Sequence, residues 1–254
     1  MIAMAVSLRT GRNMWLAIGL LMLGLIVAAP VTGADNGADG RAALDLFRQG
    51  EALRSQGRTA EAATAYETAL GWMMQNNHPR RFAVMARLGT LRMDQGQMED
   101  GQRLLNTAVN GLQEIGDYAA LANTLLAVAN LHIRHRNPDG ALQTTGWIID
   151  LGHAQKNDRI LVVGHNGQAM VHRAGGNPDL AARSYEQALA AARRAGDRLM
   201  MAQVWSGQAG LILDQGNQAE ACRRFGEVLQ AFRDINQPQW VANTQREMAK
   251  AGCE

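Results

Sequence analysis

Residues 44–74 read LDLFRQGEALRSQG followed by RTAEAATAYETALGWMM. Two short periodicities lie end to end in this stretch. Leu46, Gly50 and Leu53 are spaced by four and three residues, and so are Ala62, Tyr66 and Ala69. An α-helix brings residues at that spacing to one face, so the stretch predicts two amphipathic helices. Gly57 falls between them, where a helix end takes a left-handed residue that glycine adopts without steric penalty. The unit is therefore helix, tight turn, helix, with small residues where the two helices touch.

Working outward, the same unit recurs. Asn137-Pro138-Asp139 returns as Asn177-Pro178-Asp179 after 40 residues, and Asp94-Gln95-Gly96 returns as Asp214-Gln215-Gly216 after 120. Gly57, Gly96, Arg136, Gly176 and Gly216 hold one place in successive units. Pro138 and Pro178 fall in the first turn of second helices, where a missing N–H costs little. Asp117, Asp158 and Asp197 read as N-caps of first helices. The expectation is five repeats of about 40 residues over 43–237, starting near 43, 82, 122, 162 and 202, with an amphipathic capping helix over 238–254. Trp240, Val241, Thr244 and Met248 form the stripe of that last helix.

At these positions the chain resembles the tetratricopeptide repeat family. The family's small residue early in the second helix is Ala62, Ala141, Ala181 and Ala221, with Gly101 in the second unit. Its aromatic, four residues on, is Tyr66, Tyr185 and Phe225, but Leu105 and Thr145 in the other two units. Ala69, Ala108 and Ala188 match the next small position; Ile148 and Val228 depart from it. Gly50 and Gly89 match the first-helix glycine, which Ala129, Ala169 and Ala209 replace later. The aromatic usual near the first-helix start is present only as Trp205. Standard repeats have about 34 residues, so this chain resembles the longer-repeat subset found in adaptors and regulators. The resemblance implies an all-α, right-handed superhelical solenoid of about five helix-turn-helix units plus the capping helix, with a concave groove lined by first helices. One helical hairpin cannot bury its apolar face alone, so such units stack and their ends need caps.

The N-terminus reads differently. Residues 1–13 carry Arg9 and Arg12 and no acid, WLAIGLLMLGLIVAA runs over 15–29, and Pro30-Val31-Thr32-Gly33-Ala34 follows. That order is the order of a secretory signal peptide, cut after Gly33 or Ala34. The apolar run falls short of the roughly 20 residues of a membrane span. An uncleaved N-terminal anchor, facing the periplasm from the inner membrane, is the competing reading. Residues 35–42 would be a flexible leader. Arginine outnumbers lysine 23 to 2, which fits a GC-rich bacterial genome. Export from such a cell leads to the periplasm, or out of the cell.

Composition narrows function. Of 254 residues, 47% are hydrophobic and 19% charged, with a net charge of +2. Arg9 and Arg12 supply that whole excess, so the portion behind the signal is neutral and nucleic acid is not an expected partner. No GxSxG, HExxH or P-loop is present, and neither an enzyme activity nor a cofactor is expected. The Gly164-His165-Asn166-Gly167 stretch looks loop-like alone, but the repeat register puts it inside a first helix, its glycines allowing close packing. His132 and His172 are equivalent, and His165 lies one heptad before His172. They are weak candidates for a zinc site, against packing between repeats. His78, before Pro79, reads as the start of a helix, and His135 and His153 as solvated.

Two cysteines cannot form a disulfide framework. Cys222 is 15 residues before Gln237, the turn into the last helix, and Cys253 is 16 after it. An antiparallel hairpin puts them level, so they are either a disulfide clamping the cap or two free thiols.

Helical spacing places Asn123, Asn130 and Arg134 on one face of the third unit, and Asn166, Met170 and Arg173 on one face of the fourth. Gln203 and Thr90 hold equivalent places in the fifth and second. Amides offer the donor and acceptor that an extended peptide needs, and arginine holds a carboxylate in two hydrogen bonds. The resemblance implies a peptide-binding groove there, against an ordinary solvated face. The expected function is that of an exported, non-enzymatic scaffold for a cell-envelope protein or peptide, with no membrane contact beyond an N-terminal anchor. The alternatives are a periplasmic sensor of a ligand or metal, and an assembly factor for an envelope protein.

Overall fold

The computed structural model describes residues 38–253. The export signal expected over 1–34, and residues 35–37 of the leader, lie outside the described residues. The described residues form eleven α-helices and no strand: α1 (Ala38–Ser55), α2 (Thr59–Gln75), α3 (Arg81–Asp94), α4 (Met98–Glu114), α5 (Tyr118–Arg134), α6 (Pro138–Ala154), α7 (Asp158–Ala174), α8 (Pro178–Arg194), α9 (Arg198–Asp214), α10 (Gln218–Asp234) and α11 (Pro238–Lys250). Residues 38–42, expected as leader, are already helical. Asp39 in the first turn suits the positive end of the helix dipole, and buried Ala43 ties that turn to the core.

Every helix ends the same way. After α1 the N–H of Gly57 reaches the Arg54 carbonyl at 3.1 Å, and that of Arg58 reaches Leu53 at 3.0 Å. After α5 Arg136 reaches Ile133 and Asn137 reaches His132, at 3.0 and 2.9 Å. This paired closure satisfies carbonyls that a helix end would otherwise leave unbonded, and it needs one residue with positive φ. That residue is Gly57, Asn77, Gly96, Gly116, Arg136, Lys156, Gly176, Gly196, Gly216 and Asn236 in turn, and Gly252 after α11. The turns between units are thus built like the turns within them.

The side chain after the left-handed residue caps the next helix at five of the ten turns between helices. Asp117 accepts the Ala120 N–H, Asn137 that of Gly140 and Asp197 that of Met200, each at 3.0 Å. The cap of α7 is Asn157, not Asp158 as the punctuation of acids suggested: its Oδ1 accepts the N–H groups of Arg159 and Ile160. Asp158 is the first helical residue, where a carboxylate suits the dipole, and Arg194 of α8 pairs with it at 2.7 Å. Pro138, Pro178 and Pro238 occupy first turns. His78 is buried in the turn before α3, its Nδ1 accepting the Arg80 N–H.

Consecutive helices pack in antiparallel pairs, α1 on α2 through α9 on α10, and each pair packs on the next. First helices also touch one another, α3 with α5, α5 with α7 and α7 with α9. The stack is a solenoid whose first helices line one side. Small residues set the spacing: Ala62, Ala141, Ala181 and Ala221 are fully buried. A Cβ on Gly207 would lie 2.5 Å from the Tyr185 ring, so that ring seats on bare backbone. Gly164 and Gly167 lie inside α7, and a Cβ on Gly164 would come 2.7 Å from Ile149 of α6.

The last helix closes the core. Trp240 stacks on Phe232 of α10 at 5.6 Å, and Met248 packs with Phe225. The Sγ atoms of Cys222 and Cys253 are bonded, with Cα atoms 5.4 Å apart. The Gln218 amide donates to the Ala251 carbonyl at 2.8 Å.

Two stability outcomes follow. Arg136→Gly and Lys156→Gly should each raise stability by about 0.5–1 kcal/mol, because only glycine takes positive φ freely; urea unfolding checks this. Cys222→Ser with Cys253→Ser opens a 31-residue link and should cost the terminal helix pair about 3–4 kcal/mol. Faster amide hydrogen exchange in α11, with α5 unchanged, is the expected reading.

Candidate functional site

A cavity of about 580 Å³ opens on the first-helix side. Its walls come from α1, α3, α5, α7 and α9, through residues that include Arg54, Arg87, Thr90, Asp94, Asn130, Arg134, Met170, Arg173 and Asp214. Five of the eight residues expected in a groove are therefore together: Thr90, Asn130, Arg134, Met170 and Arg173. Asn123, Asn166 and Gln203 do not line it. Asn123 turns its amide back to the Ala119 carbonyl at 3.0 Å. Asn166 has its Oδ1 buried with no hydrogen-bond partner, and Gln203 is half-buried.

The arginines of this cavity are not free cations. Arg134 pairs with Asp94 across α5 and α3 at 2.7 Å. Arg173 grips Asp214 of α9 through Nε and Nη2, the latter at 3.1 Å. The hydrogen bond to Asp214 raises the Arg173 pKa, burial works against it, and the charge of Asp214 adds to it. Arg87 and Arg54 share one carboxylate, Glu51, at 3.3 and 3.5 Å. Glu51 also accepts the hydroxyl of Tyr66, whose pKa burial raises first and Glu51 second. Four guanidinium groups thus face three carboxylates, and the uncompensated charge sits at the α1–α3 end. The Tyr185 hydroxyl is buried near Arg173; burial raises its pKa, and the charge and hydrogen bonding of Arg173 oppose that.

Asp94, Asp214 and Glu51 were not foreseen as site residues. A signal for the two aspartates was present. Each ends a helix, where the dipole disfavours a negative charge. An acid retained there implies a cation close by.

Models of the tetratricopeptide repeat match residues 46–70 and 165–199, so these two segments are repeats of that kind. Its fold is similar to the BtubC (BKLC) protein of P. vanneervenii, with 16% identity, TM-score 0.52, and coverage of 85% of this chain and 84% of that one. It is also similar to a thermophilic tetratricopeptide repeat protein of Thermus thermophilus, with 23% identity, TM-score 0.51, and coverage of 80% and 99%. A third likeness is to a signal transduction ATPase with a tetratricopeptide repeat sensor from Pyrococcus horikoshii, with 13% identity and TM-score 0.51, covering 80% of this chain and 31% of that one. Such identities show a shared fold. No match is found among curated proteins.

Among the described residues no three histidine, cysteine or acidic side chains are grouped to hold a metal ion, and no helix is long and apolar enough to cross a membrane. His132 instead meets the Asn137 amide at 3.1 Å. Burial lowers the pKa of His132, His165 and His172 below the ordinary 6.5, with a further push on His165 from His153 and Arg194. The folded chain then binds fewer protons than the unfolded chain just below that value. Stability should be full above about pH 6.5 and fall as the pH drops through the depressed values. Replacing the three by glutamine should flatten the difference between melting temperatures at about pH 7.5 and about pH 5.

Proposed function

We propose that this chain is an exported scaffold, not an enzyme, whose groove holds an extended segment of another cell-envelope protein. The observation that carries this reading is the convergence of Thr90, Asn130, Arg134, Met170 and Arg173 on one cavity with an uncompensated positive charge. Tetratricopeptide repeats serve as surfaces for protein partners, and this cavity has the chemistry for one. The Asn130 side chain makes no hydrogen bond among the described residues, so its donor and acceptor remain for a peptide backbone. Met170 is 36% exposed and offers an adaptable apolar contact.

Charge sorts the partner. Arg134 and Arg173 already hold carboxylates, and a ligand would have to displace them. Arg54 and Arg87 divide one carboxylate between them, so an acidic side chain or a C-terminal carboxylate of the partner would sit there. The signal-like N-terminus supports delivery to the periplasm, or retention at the inner membrane if it stays attached.

The test is a photoreactive residue at position 170, crosslinked in the native host, with the adducts identified by mass spectrometry. Arg54→Glu with Arg87→Glu should cut the adduct by at least about tenfold while leaving helicity intact. Equal capture would remove the groove from the reading. N-terminal sequencing of the periplasmic form should start at Ala34 or Asp35. An uncut chain in the membrane fraction would favour the anchor.

A further inference from the structure

A second cavity, of about 600 Å³, lies between α8, α9 and α10. Its floor on α9 includes Trp205 and Ile212, and its sides include Ala182 and Glu186 of α8 and Arg224, Glu227 and Val228 of α10. Asp214, which lines the groove, is nine residues beyond Trp205 and so half a turn round the helix. The two cavities use opposite faces of α9.

Trp205 is the unusual wall. Met85 and Leu125 hold its place in the second and third units and are 5% and 8% exposed, and His165 in the fourth is half-buried, whereas Trp205 is 37% exposed. Ala182 is the small residue of the α8 wall, and it leaves room for the cavity. Its volume falls in the range of sites for small organic ligands, and its apolar floor suits a ligand with an apolar body.

The charges choose the ligand. Arg224 is held by Glu220 at 2.8 Å and by Glu227 at 3.4 Å, and Glu227 also pairs with Arg223. Arg224 therefore brings no free positive charge. Glu186 makes no ion pair among the described residues, so the lining carries one negative charge without a partner. An indole face attracts a cation through its quadrupole, and a free carboxylate attracts it through its charge. We propose that this crevice binds a small organic cation: an amine or guanidine at Glu186, with an apolar body against Trp205, Ile212 and Val228.

The test uses the full chain and three probes of similar shape, phenethylamine, 2-phenylethanol and 3-phenylpropionate, followed by isothermal titration and ligand-observed NMR. The amine should saturate one site at millimolar concentration or below, the alcohol should compete for that site more weakly, and the carboxylate should not displace the amine from it. Glu186→Gln, an exposed change that leaves the core intact, should weaken the amine by about tenfold, and so should Trp205→Leu. Ala182→Trp should fill the space and abolish binding. The proposal is overturned if the amine does not saturate, if the carboxylate displaces the amine as well as more amine does, or if Glu186→Gln or Ala182→Trp binds the amine like the parent chain. Capture of a lysine-bearing peptide without binding of the free amine also overturns it.

Discussion

The structure depends on one backbone closure. Each helix stops at a left-handed residue, and the N–H groups of that residue and the next turn back onto the last carbonyls. From Gly57 to Asn236 this happens at intervals of 19 or 20 residues. A connection so short allows only an antiparallel neighbour, and it fixes the rotation at which each helix leaves the turn. Stacking then follows without any further device. Where the left-handed residue is glycine the closure is nearly free. Arg136, Lys156, Asn77 and Asn236 carry it at a steric cost, and the surrounding packing holds them there.

The closure leaves helices too close for large side chains on both surfaces. Alanine fills the crossing points, and Tyr66 and Tyr185 lie against Gly50 and Gly207. This accounts for a chain with 5% aromatic residues that still buries a series of apolar clusters along the stack. Stability of such a stack is close to a sum over neighbouring units, so its ends are its weak points. The last helix answers with the Phe232–Trp240 stack, the Gln218 hydrogen bond and the Cys222–Cys253 bond.

The repeat was legible because local spacing encodes it. Leu46, Gly50 and Leu53 need no knowledge of distant residues to declare a helical face. The positive φ at Lys156 was not legible, since nothing about that side chain marks a left-handed backbone. The cap at Asn157 was hidden by the acid beside it. For the groove, rotation about a helix is local and was readable, so five residues could be put on one side. Their partners were not readable. Arg134 and Asp94 are 40 residues apart and meet only because units stack in one particular register. Asn123 dropped out for a local reason of another kind, a side chain that bonds its own helix.

Ion pairing changes what the two faces can recognise. On the groove side, arginines placed at helix C-termini are favourable by dipole, and aspartates at the ends of α3 and α9 are not. Pairing across the stack relieves the aspartates and locks neighbouring first helices together. The cost is recognition strength, because a ligand carboxylate competes with one already in place. Only the Glu51 end, with two arginines to one acid, retains attraction for an anion. Between the second helices the balance is reversed. Arg223 and Arg224 are consumed by Glu220 and Glu227, and the strong pairing holds the Glu220 pKa down to about 2. Glu186 is left over beside an open indole. One cavity thus sets two arginines against a single acid, and the other sets Glu186 beside an indole, so each selects a ligand of opposite sign by its local pairing and not by net charge.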